Sequence, residues 1–256
     1  MPNRFARERN KTKVRTDKYA AFIVMGIPFS IFLVLGIPIT LEILPTSPSI
    51  FFIHPLLIVS SFAAMFVNGW SFQDVGLRLD GLTRNLVYSG ALFAVYAGSQ
   101  LVPFAPIQSA TFDVTSILWL LRYVFLVGFG EELYYRGLTV KALSTLKNQY
   151  FAIIVAAGIF GLGHFADGIG GIVGAFISAF PYLFIRRITD NIVGLSIAHG
   201  LLDFLPVLLV PSTTANPFLQ GLFIAVFLMF FAFLALSFLR VTGNERDQAN
   251  RRSSSA

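Results

Sequence analysis

Gly130-Glu131-Glu132-Leu133-Tyr134-Tyr135-Arg136-Gly137 sets two adjacent carboxylates and an arginine inside a chain that is otherwise mostly hydrocarbon. A charge at the centre of a bilayer costs about 2.5–3.5 kcal/mol on insertion scales. A sequence that accepts this cost at two neighbouring positions is expected to use the carboxylates. Reading this stretch as part of a membrane helix decides the fold, because the apolar runs on either side are then counted as spans.

The chain has 256 residues, of which 55% are hydrophobic and 12% charged; soluble domains carry about 25% charged residues. Working outward from the motif, the sequence predicts an all-α integral membrane protein with about eight transmembrane helices, each close to the 17–25 residues that cross about 30 Å of hydrocarbon. The expected spans are Tyr19–Thr40 (kinked near Pro28), Ile50–Trp70, Leu86–Val102, Thr115–Leu146, Tyr150–Phe165, Gly168–Ile185, Ile192–Val210 and Pro217–Leu239. The first is too long for the apolar region of a signal peptide and lacks a clear cleavage site. Three segments follow: a disordered basic cytoplasmic tail over 1–18, a polytopic membrane domain over 19–239 with a motif-bearing core at 115–210, and a disordered cytoplasmic tail over 240–256. No internal repeat is evident.

Basic residues orient the spans. With the N-terminus in the cytoplasm, the cytoplasmic segments and span ends hold the basic tail, Arg78, Arg84, Arg136, Lys141, Lys147, Arg186, Arg187, Arg240, Arg246, Arg251 and Arg252. The opposite loops (41–49, 103–114, near Asp167, 211–216) hold no Lys or Arg. This asymmetry predicts that both termini are cytoplasmic. The net charge of +6 sits mostly at the two ends, where it sets orientation and touches anionic lipid; no nucleic-acid partner is expected. The chain has no cysteine, which excludes disulfides and thiolate metal sites. Residues 71–85 either lie along the cytoplasmic interface or form a solvated loop. The glycines at 158–163 and 168–174 read as close helix packing.

The polar residues inside the apolar spans are few. Glu132 and Arg136 are four apart and can pair along one helix face, which leaves Glu131 pointing about 100° away. Phe160 and His164 share the same spacing, as do His199 and Asp203. Glu131 and His164 fall at nearly equal separations from the turn at Asn148, so at about 1.5 Å per residue they lie level, about 24–26 Å from it. His199 and Asp203 lie about 12 and 18 Å beyond Asn191. Three helices are thus expected to deliver Glu131, His164, His199 and Asp203 to similar depth. Arg122 receives no chemical role, and His54 is read as interfacial.

A carboxylate in a low-dielectric site is a competent general base, and with His164 it can hold a water that attacks a carbonyl. The oxyanion then needs donors. His199 supplies one, while Asp203 either donates when protonated or orients His199. In the metal alternative, Glu131, His164 and His199 hold zinc with an open position for water, although the HExxH signature is missing.

Glu131-Glu132-Leu133-Tyr134-Tyr135-Arg136 resembles the EExxxR motif of the CAAX protease and bacteriocin-processing family, which includes the type II CAAX prenyl endopeptidases. Phe160-Gly161-Leu162-Gly163-His164 is similar to its FxxxH motif, and His199-Gly200-Leu201-Leu202-Asp203 to its HxxxN/D motif. The order on three spans fits as well. The resemblance implies an intramembrane endopeptidase with Glu131 as general base, His164 on the same water, and His199 and Asp203 at the oxyanion. Glu132, Arg136 and Phe160 would support the motif. Asn is common at the last position, so Asp203 is a departure whose role is least defined. The family has been described both as zinc-dependent and as glutamate-dependent; the glutamate reading requires no cofactor and is favoured here. The substrate would be a peptide or membrane protein, and the location a bacterial plasma membrane. Two other functions fit the same residues: a non-proteolytic scaffold, regulator or immunity protein with a membrane-protein partner, and a small proton-coupled transporter. The missing repeat weighs against the transporter.

Overall fold

The computed structural model describes residues 19, 21–28, 30–40, 43, 46–104, 107–110, 112–211 and 216–254. The expected N-terminal tail lies outside them. The described chain is helical apart from turns and one short antiparallel pair, β1 (Ile107–Ala110) and β2 (Leu209–Pro211). Among the described residues, three helical segments are long and apolar enough to cross a membrane: Val114–Leu146, Phe165–Thr189 and Pro217–Asn244. Shorter apolar helices include Phe52–Val67, Gln149–Gly163 and Val193–Leu208.

The chain forms two compact units. One is built from Met1–Arg78 and Phe129–Phe180, the other from Leu79–Gly128 and Pro181–Ala256. The chain passes between units inside two of its helices. One crossing follows Gly128, and the other falls at Pro181, which interrupts the backbone ladder of the Gly168–Thr189 helix. Proline lacks the N–H that would bond four residues back.

The segment Val114–Leu146, hereafter the motif helix, begins with a capping box. Ser116 N–H donates to Asp113 Oδ1 at 2.7 Å, and Asp113 N–H donates to Ser116 Oγ at 3.2 Å. This satisfies two backbone donors that the first turn would otherwise leave open. Along its length the winding loosens twice to i→i+5 bonding, over Tyr123–Gly128 and Glu132–Thr139. Such π turns are rare and are frequently found at functional sites. The α-helical angle and rise used above for Glu131 therefore do not hold past Tyr123.

In the second unit, Gly128 and Gly200 allow backbones to touch. A Cβ on Gly128 would lie 2.2 Å from the Ser196 carbonyl, and one on Gly200 would lie 2.4 Å from the Tyr123 carbonyl. Buried Asn85 joins three helix ends. Its Nδ2 donates to Thr189 Oγ1 and to the Asn191 carbonyl, each at 2.9 Å, and its Oδ1 accepts from Gly194 N–H at 2.6 Å.

Several expected boundaries change. The helix expected from Ile50 begins at Thr46, and that expected from Leu86 begins at Leu82. The seventh stops at Leu208, where the chain enters β2. The last runs from Pro217 to Ser254, so residues 240–254 are helical where a disordered tail was expected. The sequence there contains no proline, and its only glycine, Gly243, is insufficient to stop a helix already started.

Candidate active site

Within the first unit, the site is built where the Thr46–Val67 helix packs on the motif helix. Gly130 sets the approach: a Cβ there would lie 3.1 Å from Ile58 Cγ1 and 3.6 Å from the His54 carbonyl. The next residue, Glu131, places Oε1 3.4 Å from His54 Nε2, and both side chains are 16% exposed.

The neighbouring carboxylate takes a different course. Glu132 Oε1 lies 3.2 Å from Arg136 Nη1, and both residues are fully enclosed. The guanidinium sits over the Phe160 ring, with its Cζ 4.1 Å from the centroid. A desolvated cation on an aromatic face gains up to about 2 kcal/mol. Tyr135 meets the same ring edge-on at 5.0 Å. Together these contacts fasten the Gln149–Gly163 helix to the motif helix.

His164 stands just past the end of that helix at φ −96°, ψ 23°, in the bridge region where many active-site residues sit. Its ring lies 4.7 Å from Phe160, and its Nδ1 is 3.1 Å from the Phe160 carbonyl. A carbonyl only accepts, so Nδ1 carries the proton and Nε2 presents a lone pair. That nitrogen can accept a hydrogen bond from water or bind a metal ion. The Tyr135 hydroxyl lies against the adjoining residue, 2.8 Å from where a Cβ on Gly163 would stand.

A short strap covers the other end of the motif helix. Residues 71–77 form turns in which Val75 is fully buried. A Cβ on Gly137 would lie 2.8 Å from the Val75 carbonyl. Lys141 Nζ donates to Asp74 Oδ1 at 2.7 Å. This bond, together with donation from Ser71, draws the Asp74 carboxyl from 3.8 down to about 2. Residues 71–77 therefore form a strap packed on the motif helix through Val75 and Asp74.

His199 and Asp203 belong to the second unit. His199 is buried; its Nε2 lies 3.5 Å from Asp203 Oδ2, and its ring lies 5.4 Å from Tyr182. Arg122, also buried, lies over the Trp119 and Tyr123 rings at 5.1 and 5.0 Å. Among the described residues, no group of three His, Asp or Glu side chains is arranged to hold a metal ion.

Reasoning from the sequence missed His54 as a partner of Glu131. The available signal was the histidine count: the chain has three, and this one is eight residues into a helix that starts at Thr46, about 12 Å along its axis. Starting that helix at Ile50 had placed it near the surface.

Helices long and apolar enough to cross a membrane mark the class as an integral membrane protein, and within it a sheltered carboxylate is held against an imidazole. Residues 113–205 match the family model described as type II CAAX prenyl endopeptidase Rce1-like. The matched segment contains all three motifs and is similar to that family over about a third of the chain. No curated protein and no solved structure matches the chain.

Proposed function

We propose that the protein is an intramembrane endopeptidase in which Glu131 and His164 activate a water. The observation that carries this reading is the division of labour between the two glutamates. Glu132 is committed to Arg136, while Glu131 faces an imidazole in a sheltered position. In the proposed reaction, His164 Nε2 accepts one hydrogen bond from the water and Glu131 removes a proton. The water oxygen bonds to the peptide carbonyl carbon. Glu131 then delivers the proton to the leaving nitrogen as the C–N bond breaks. General-base assistance of this kind contributes about 10²–10⁴-fold.

His199 and Asp203 complete the proposal at the oxyanion. The 3.5 Å separation between them favours Asp203 as the group that orients the His199 ring. The substrate class is a peptide or membrane protein, with a prenylated peptide ending in a CAAX sequence as the first to try, since the matched family model carries that name. The location is a membrane with both termini cytoplasmic, crossed about eight times; a bacterial plasma membrane is the proposed one.

The test is cleavage of such a peptide by the purified protein in detergent. Loss of cleavage in Glu131→Ala and in His164→Ala supports the reading, and retained cleavage in either ends it. A chelator arm separates the two mechanisms. Activity that survives chelation assigns the chemistry to the protein's own groups, whereas activity lost and then restored by zinc assigns the His164 Nε2 lone pair to a metal.

A further inference from the structure

The third histidine has no place in the three motifs, yet it makes the contact with Glu131. We propose that His54 is a positioning residue: its Nε2–H donates to Glu131 Oε1 and fixes the orientation of the carboxylate that works on the water. This rests on the reading of Glu131 as the general base.

The tautomer follows from the partner. A carboxylate only accepts, so the nitrogen facing it must carry the hydrogen. In a neutral ring His54 Nδ1 is then bare. That atom is buried and has no hydrogen-bond partner among the described residues, a smaller penalty for an acceptor lone pair than for a buried N–H. The separation of 3.4 Å exceeds the usual 2.9–3.0 Å for N–H···O, as expected for a catalytic contact before substrate tightens it.

Two features of the backbone support a built contact. Gly130 removes the side chain that would hold the two helices apart. The π winding begins at Glu132, directly after the carboxylate, so the orientation of Glu131 is not fixed by regular helical packing below it. A hydrogen bond from a separate helix restrains it. The titratable groups beside Glu131 on the motif helix are Glu132, Tyr135 and Arg136; the Thr46–Val67 helix adds only His54 itself.

The test uses the full chain in detergent with ¹⁵N-labelled histidine. Only three histidines are present, so the His54 signals are assigned by their loss in His54→Gln. The expected result is a ring protonated at Nε2, with both nitrogen resonances displaced in Glu131→Gln. Protonation at Nδ1, or resonances unmoved by Glu131→Gln, overturns the proposal. This readout needs no turnover, so it still decides the role of His54 if the peptide assay fails. In that assay, on a farnesylated CAAX peptide, His54→Phe should lose about 10- to 100-fold in kcat at unchanged KM, the scale of a misplaced catalytic group. His54→Gln, which keeps an N–H near the same place, should regain most of it. Wild-type kcat in His54→Phe, or equal impairment in both variants, also overturns the proposal.

Discussion

Glu131 and Glu132 are chemically identical and adjacent, so their separate fates come from their surroundings. Glu132 sits with Arg136 in a fully enclosed pair capped by Phe160. Removing one partner of a buried pair leaves the other charge uncompensated, at a cost of about 3–5 kcal/mol. Glu132→Gln is therefore expected to lower the thermal midpoint in detergent by several degrees or to prevent folding. Glu131→Gln should unfold at nearly the wild-type temperature while losing about 10²–10⁴-fold in cleavage. Equal melting temperatures for the two variants would remove the distinction between brace and base. The i,i+4 spacing made the Glu132–Arg136 pair readable in the sequence, since a helix brings such residues together whatever surrounds it. The same spacing marked Phe160 with His164, and His199 with Asp203. His54 was not readable in this way. Its partner lies 77 positions away on another helix, and no local periodicity reports a contact between helices. Asn85 was missed for a related reason: its value lies in joining Thr189, Asn191 and Gly194, which only the packed chain brings near.

At the level of elements, the motif helix is shaped by two π turns and by glycines at its contacts. Its existence was plain from hydrophobicity; its winding was not, because α and π turns share the same composition. The strap over 71–77 shows how a connecting segment becomes part of the packing of the motif helix. Val75 fills the notch at Gly137, and Asp74 holds Lys141. Gly137→Ala pushes a methyl into the Val75 carbonyl and should cost about 1–3 kcal/mol, the usual range for overpacking, read as a fall in the unfolding temperature. The Asp74–Lys141 bond makes a separate prediction. Its carboxyl titrates at about 2 in the folded protein against 3.8 ordinarily, so the folded state favours the ionised form. The associated stability is present above about pH 4 and is lost as pH falls toward about 2. Asp74 is 36% exposed, which limits the pair to about 0.2–1 kcal/mol. Asp74→Asn should therefore unfold slightly below wild type at neutral pH, with the gap closing on acidification. A gap that stays constant from pH 7 to pH 2 would assign the strap to packing alone.

For the molecule as a whole, the distribution of basic residues is an argument about the membrane that helix geometry does not replace. Loops expected on the far side carry no Lys or Arg, and Asp113 and Asn216 both lie in such loops. The cytoplasmic assignments include the strap, the turn at Asn148 and the end of the Pro217–Ser254 helix with Arg240, Arg246, Arg251 and Arg252. Among the described residues, three helical segments are both long and apolar enough to cross by themselves. The shorter ones, such as Val193–Leu208 with its 16 residues, cover about 24 Å and need β2 or a flanking turn to complete a crossing of about 30 Å. Lacking cysteine, the chain suits single-cysteine mapping without a background. Cysteines replacing Ser71, Asn148 and Ser254 should react with a membrane-impermeant maleimide only after permeabilisation of the cell, and one replacing Asn216 should react in intact cells. If Ser71 and Asn148 label on opposite sides, the motif helix and its partner do not form a cytoplasmic hairpin and the proposed count of about eight crossings fails. If Ser254 alone labels from outside, the error lies in the last helix and the site-bearing core keeps its orientation. The pattern of labelling thus tests the topology in parts, and the part that matters for chemistry is the hairpin that carries Glu131 and His164.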